Sequence, residues 1–167
     1  MKTHFIFGAA FVAVVALSGY DAQARRPDLT GGNPGIVISG SQDYDGMPEK
    51  AKHFISKHFS GVGISKCEKY FAKGKYEVEL ANGVDMEFNT KGELTEIDAP
   101  DNAFLAPSIV KELLHRSAYS HLEKDGLDSK VESIEFNRGK AVEVELGIPD
   151  PDTYVFDIDG NFIAIRD

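Results

Sequence analysis

Over residues 75–94, apolar and polar positions alternate with a period of two, interrupted by turn residues. Tyr76, Val78 and Leu80 alternate with Glu77 and Glu79, and Asn82-Gly83 turns the chain. Val84, Met86 and Phe88 then alternate with Asp85 and Glu87 before Lys91-Gly92 turns it again. This pattern predicts a β-meander with one buried and one solvated face. Upstream, Met47, Ala51, Phe54, Ile55 and Phe59 recur at helical spacing opposite Glu49, Lys50, Lys52, Ser56 and Lys57, with Pro48 leading and Gly61 and Gly63 ending the run. A one-sided helix must lie on an apolar surface, and the neighbouring meander supplies one. Strands predicted at 64–71 and 94–97 complete a unit of one helix and four strands.

After a break at Ala99-Pro100-Asp101 the order restarts. Ala106-Pro107-Ser108 leads a stripe of Ile109, Val110, Leu113 and Leu114, and strands are predicted at 131–136, 141–146, 153–157 and 162–166. Pro48 aligns with Pro107 at a shift of 59, Glu77-Val78-Glu79-Leu80 with Glu143-Val144-Glu145-Leu146 at 66, and Phe88 with Phe156 at 68. The growing shift assigns an insertion to residues 120–126 and a longer hairpin to 148–152, both read as loops where extra length is tolerated. The expected fold class is α+β: two repeats, each an amphipathic helix packed on a four-stranded antiparallel β-meander. The first repeat is placed at 47–98, a linker at 99–105 and the second repeat at 106–167.

In the first half the framework is Pro48, Phe54-Ile55, Phe59, Ile64, Tyr76 to Leu80, Asn82-Gly83, Phe88 and Gly92. In the second it is Pro107, Leu113-Leu114, Val142 to Leu146, Phe156, Asp159-Gly160 and Phe162. Together these resemble the PepSY-like family of exported bacterial proteins, also described as similar in fold to β-lactamase-inhibitory protein. The resemblance covers roughly residues 47–167. It implies a helix on a four-stranded antiparallel sheet, present twice, in an exported protein; it carries over no activity, because no partner-contacting residue matches by motif.

The N-terminus changes the expected address. A basic start at Lys2, an apolar run over 5–17 and the small-x-small site Ala22-Gln23-Ala24 read as a signal peptide over 1–24, with no cysteine after the run to carry a lipid. No stable membrane anchor is expected once it is removed, and the protein is placed in the periplasm or secreted. Residues 25–46, rich in Gly, Pro, Asp and Ser, read as a flexible lead-in whose Ile36-Val37-Ile38 patch offers an edge strand or a clip for a partner. The chain carries a net charge of −9, which the presumed cleavage leaves unchanged because it removes one base, Lys2, and one acid, Asp21. Such a balance argues against nucleic acid as a partner. Cys67 is the single cysteine, so no internal disulfide is available; it reads as a small core residue or as a lone thiol.

Candidate chemistry is sparse. If the apolar positions of the meander face the helix, then Glu77, Glu79, Asp85 and Glu87 project from the other side, with Glu143 and Glu145 repeating the arrangement. This is a candidate partner-binding surface, and equally a solvated face that keeps the sheet soluble. Asp157, Asp159 and Asn161 resemble the start of a calcium loop, but glycine falls at the fourth position instead of the sixth and the bidentate acid is missing. His53 and His58, and likewise His115 and His121, are spaced so that neither pair shares a helical face, and no nucleophile or phosphate-loop motif is present. No cofactor, metal or catalytic residue is assigned. The reading is an exported non-catalytic binding protein that engages an envelope or extracellular protein partner through its sheet face or loops, with inhibition of an enzyme as its narrower version; the alternative is an envelope protein responsive to a small ligand or metal ion.

Overall fold

The computed structural model describes residues 35–166 apart from 138, 150 and 151, so the expected signal peptide over 1–24 lies outside the described residues. Two helices, α1 (Ser41–Asp45) and α2 (Glu49–His58), precede β1 (Ile64–Tyr70), β2 (Lys75–Leu80), β3 (Asp85–Asn89) and β4 (Leu94–Asp98). Two further helices, α3 (Pro107–Leu113) and α4 (Arg116–Lys124), precede β5 (Val131–Asn137), β6 (Ala141–Leu146), β7 (Thr153–Asp157) and β8 (Phe162–Arg166). All eight strands form one antiparallel sheet in sequence order. Sequence pattern left open whether two sheets join; β4 and β5 join them, through the pairs Glu96–Glu135, Ile97–Ile134 and Asp98–Ser133.

Residues directly opposite in an antiparallel ladder share a face. One unbroken row therefore crosses the whole sheet: Cys67, Val78, Met86, Ile97, Ile134, Val144, Tyr154 and Ile165. Its members from Cys67 to Val144 are all buried. The helices lie over this side, where Ala51 and Ile55 of α2 and Ala118 and Leu122 of α4 join the same hydrophobic core as Phe88 and Phe156.

Two expectations are corrected. Residues 120–126 are not an inserted loop, because α4 runs through Lys124 with Ala118, Tyr119 and Leu122 buried at helical spacing. Over 35–46 the flexible lead-in also gives way, and of the two roles offered by Ile36-Val37-Ile38 the edge strand is the one observed. Ile38 N–H donates to the Ile64 carbonyl and Ile64 N–H to that of Ile36, Cys67 N–H donates to Ser39, and Tyr44 of α1 is buried. Backbone hydrogen bonding, which composition does not reveal, ties this segment to the outer edge of β1 as a short parallel strap.

The contacts recur at a near-constant separation that differs from the one read in the sequence. Ile38 N–H to Ile64 is matched by Leu105 N–H to Val131, both at 2.8 Å and 67 residues apart. The turn at Gly92 packs against Pro48 and Ala51 at the start of α2, and the turn at Gly160 against His115 and Ser117 at the start of α4. Thus α4, not α3, stands where α2 stands.

Gly92 has φ 77°, and a Cβ there would lie 2.7 Å from Pro48 Cβ. Gly61 has φ 80° with nothing nearby. Gly61→Ala is expected to cost only the left-handed backbone penalty of about 1 kcal/mol, whereas Gly92→Ala adds a helix–turn clash and costs roughly 2 kcal/mol more in urea unfolding. Equal costs would show that the turn does not bear on α2.

Candidate functional site

The face opposite the helices carries two further rows that flank the apolar one in register. The first runs Glu68, Glu77, Glu87, Glu96, Glu135, Glu143, Val155, Ala164. The second runs Lys66, Glu79, Asp85, Asp98, Ser133, Glu145, Thr153, Arg166. Strand alternation in β2, β3 and β6 places all six acids singled out from the sequence, Glu77, Glu79, Asp85, Glu87, Glu143 and Glu145, on this one face. Glu68, Glu96, Asp98 and Glu135 were missed. Register irregularities in β1, β4 and β5 break the period of two that would have marked them, and the contact of β4 with β5 that links the two acid groups is a tertiary fact.

Cations neutralise only the margins. Lys75 bridges Glu77 at 2.6 Å and also pairs with Glu87, which holds the lysine well above its ordinary range and Glu77 below its own. Lys66 pairs with Glu68 at 2.9 Å, and Arg166 with Glu143 at 2.8 Å. Among the described residues Glu79, Asp85, Glu96, Asp98, Glu135 and Glu145 take part in no ion pair. Partial burial, with Asp98, Glu87 and Glu135 close by, pushes Glu96 up to about 7. Asp85 is raised by burial and then by Glu79 and Asp98, and Glu145 by burial and then by Asp152 and Glu132. A groove of about 290 Å³ lies here, lined by acids from Glu68 to Asp98 with Lys66 at its end. An unbalanced negative field in a shallow groove can attract and orient cationic groups.

The other candidates do not assemble. Asp157 Oδ1 accepts the N–H groups of Asp159 and Asn161 at 3.0 and 2.8 Å, and its Oδ2 accepts Asn161 Nδ2 at 2.9 Å. These bonds hold Asp157 below its ordinary range and make the loop a self-satisfied turn. Among the described residues no three His, Cys, Asp or Glu side chains are placed to hold a metal ion. His58 meets Glu112 at 3.2 Å, His115 caps α4, and His121 stacks on Phe162 with 4.8 Å between ring centroids, so these three histidines serve separate structural contacts. Cys67 is fully buried, and burial pushes its thiol up to about 11, so it stays protonated and inert at neutral pH.

Fold and site together define a sheet protein with one helix-covered face and one acidic, open face. The chain belongs to the family described as "Putative beta-lactamase-inhibitor-like, PepSY-like", which matches residues 43–96 and again 74–164. It is similar to a "putative periplasmic protein of unknown function" from Bacteroides vulgatus, with 29% identity over 75% of this chain and 96% of that one and a TM-score of 0.59. It is likewise similar to a "putative calcium-regulated periplasmic protein" from Bacteroides thetaiotaomicron, with 29% identity over 77% of this chain and 100% of that one and a TM-score of 0.61. No curated protein matches the chain. Among the described residues no helix is long and apolar enough to cross a membrane.

A carboxyl raised in the folded state favours the protonated form there. Its stabilising contribution is complete below the unfolded value near 4.5 and is lost as pH rises through about 7. Glu96→Gln is therefore expected to stabilise the protein at pH 8 by about 1 kcal/mol after allowance for solvent screening, and to be neutral at pH 4. Urea unfolding at the two pH values tests this; a destabilised variant at pH 8 would contradict it.

Proposed function

We propose that this chain is an exported, non-catalytic binding protein that receives a positively charged macromolecular partner on the acidic face of its sheet. The observation that carries the reading is the block of carboxylates on β2 to β6 that no described cation neutralises. Burial of like charge against like charge is unfavourable in the free protein, so a cationic partner gains by relieving it. Similarity to proteins described as periplasmic, together with the apolar run and small-residue site at 1–24, supports action in the cell envelope. Inhibition of an envelope enzyme is a narrower form of the same reading, supported by the inhibitor-like family description.

We read the scaffold as a tandem duplication. The matched contacts support units of about 35–98 and 102–166, each beginning with its own strap and short helix, in place of the 47–98 and 106–167 units separated by a linker at 99–105 that helix starts alone suggest.

The test is capture from a native envelope extract with the protein as bait. A partner retained at about 50 mM salt is expected to be largely released by about 300 mM, because surface charge is screened over that range. The variant combining Glu79→Gln, Asp85→Asn, Asp98→Asn and Glu145→Gln should remain folded and bind at least about tenfold more weakly. Undiminished capture by this variant would exclude the acidic face.

Calcium response is the second reading, favoured by the similarity to the "putative calcium-regulated" protein. Since no described cluster stands ready for an ion, calcium would have to draw face carboxylates together. Calcium at 100 times its dissociation constant would then add about 2.7 kcal/mol to stability. A melt unchanged by calcium, relative to sodium chloride of equal ionic strength, would dispose of this reading.

A further inference from the structure

The two edges of the sheet are finished differently. At β1 the chain's own strap, Ile36 to Ser39, takes up the edge, and Cys67 at that end of the apolar row is fully buried. At β8 the row ends on Ile165, which is 42% exposed. Four of the eight exposed large hydrophobic residues among those described, Ile158, Phe162, Ile163 and Ile165, sit in or just before this strand. We propose that β8 pairs antiparallel with the β8 of a second copy, about a two-fold axis at Ile165, continuing the sheet across the dimer.

The occupant is argued from the internal seam. At a shift of 68 residues, as between Gly92 and Gly160, the β4 residues Glu96, Ile97 and Asp98 correspond to Ala164, Ile165 and Arg166 of β8. In β4 these three residues are the ones that pair with β5, and Ile97 is sealed against Ile134. Their counterparts in β8 have the same ladder position and no described strand beyond them. Pairing about Ile165 sets Ile165 against its own copy on the helix side. On the other side it sets Ala164 against Arg166 twice.

Charge favours a second copy at this place and disfavours one elsewhere. Two chains of net charge −9 repel, and the acidic rows would oppose one another across most contacts. Those rows end before β8, where Val155, Ala164, Thr153 and Arg166 replace acids. Because the β1 edge is occupied by the strap, the β8 contact closes as a dimer and does not propagate.

Sedimentation of the purified protein between about 1 and 200 µM tests this, a range that spans weak self-association. The expected result is a dimer at the upper end that Ile165→Lys abolishes, while Phe71→Lys, at an exposed apolar position on the far side of the sheet, leaves it intact. Circular dichroism must show both variants folded. If Ile165→Lys fails to fold, hydrogen exchange of the parent decides: amides of residues 164–166 should gain protection with protein concentration. A monomer throughout the range, a dimer that survives Ile165→Lys, or concentration-independent exchange in β8 would overturn the proposal.

Discussion

The structure depends on the seam between β4 and β5. Three residue pairs make it, and one of them sets Glu96 directly against Glu135. Like charges opposite one another cost roughly 0.2–1 kcal/mol, whereas complete burial of an isoleucine contributes about 1.5–3 kcal/mol. Ile97 and Ile134, both fully buried at the seam, therefore outweigh the repulsion beside them. The apolar side of the sheet is what permits the acidic side to exist. Remove the continuity of that row and the two halves become separate four-stranded sheets, each with an exposed edge.

The same balance explains why the charge is distributed as it is. Cations are stationed at the limits of the face, Lys66 on the first strand and Arg166 on the last, with Lys75 at one end of β2. Central positions have carboxylates as neighbours both along and across strands. At Asp85, Glu96 and Glu145 the raised affinity for protons comes first from burial and then from that crowding. Stability and surface potential thus pull in opposite directions at Glu96.

Much of the scaffold was legible because strand periodicity and turn glycines agree. The ranges read for 141–146, 153–157 and 162–166 coincide with β6, β7 and β8. Misreadings arose where a strong local signal competed with a weak one. Pro107 matches Pro48 as a helix start, but the helix that occupies the position of α2 begins after His115, whose side chain accepts from Ser117 N–H and offers no familiar sequence mark. The strap was half legible for a different reason: Ile36-Val37-Ile38 offered an edge strand, but the Gly- and Pro-rich residues around it resemble a linker, and the order comes from hydrogen bonds to β1 that only the assembled edge can supply. Six of the ten acids on the open face could be named from alternation, yet their union into one field required knowing that β4 lies beside β5.

Strand order has a kinetic corollary. Every strand pairs with the strand that precedes or follows it along the chain, and the strap that finishes the first edge is separated from β1 by α1 and α2. Within each half the hairpins close short loops at low entropic cost, whereas docking the strap on β1 and pairing β4 with β5 must each wait on a stretch that holds two helices. A chain emerging from its N-terminal end meets its protective edge first and can lay down hairpins one after another. For a polypeptide with a single, buried cysteine, such a hairpin-by-hairpin route lets folding proceed without disulfide exchange and keeps short the interval in which an unpaired strand within each half is open to misassembly.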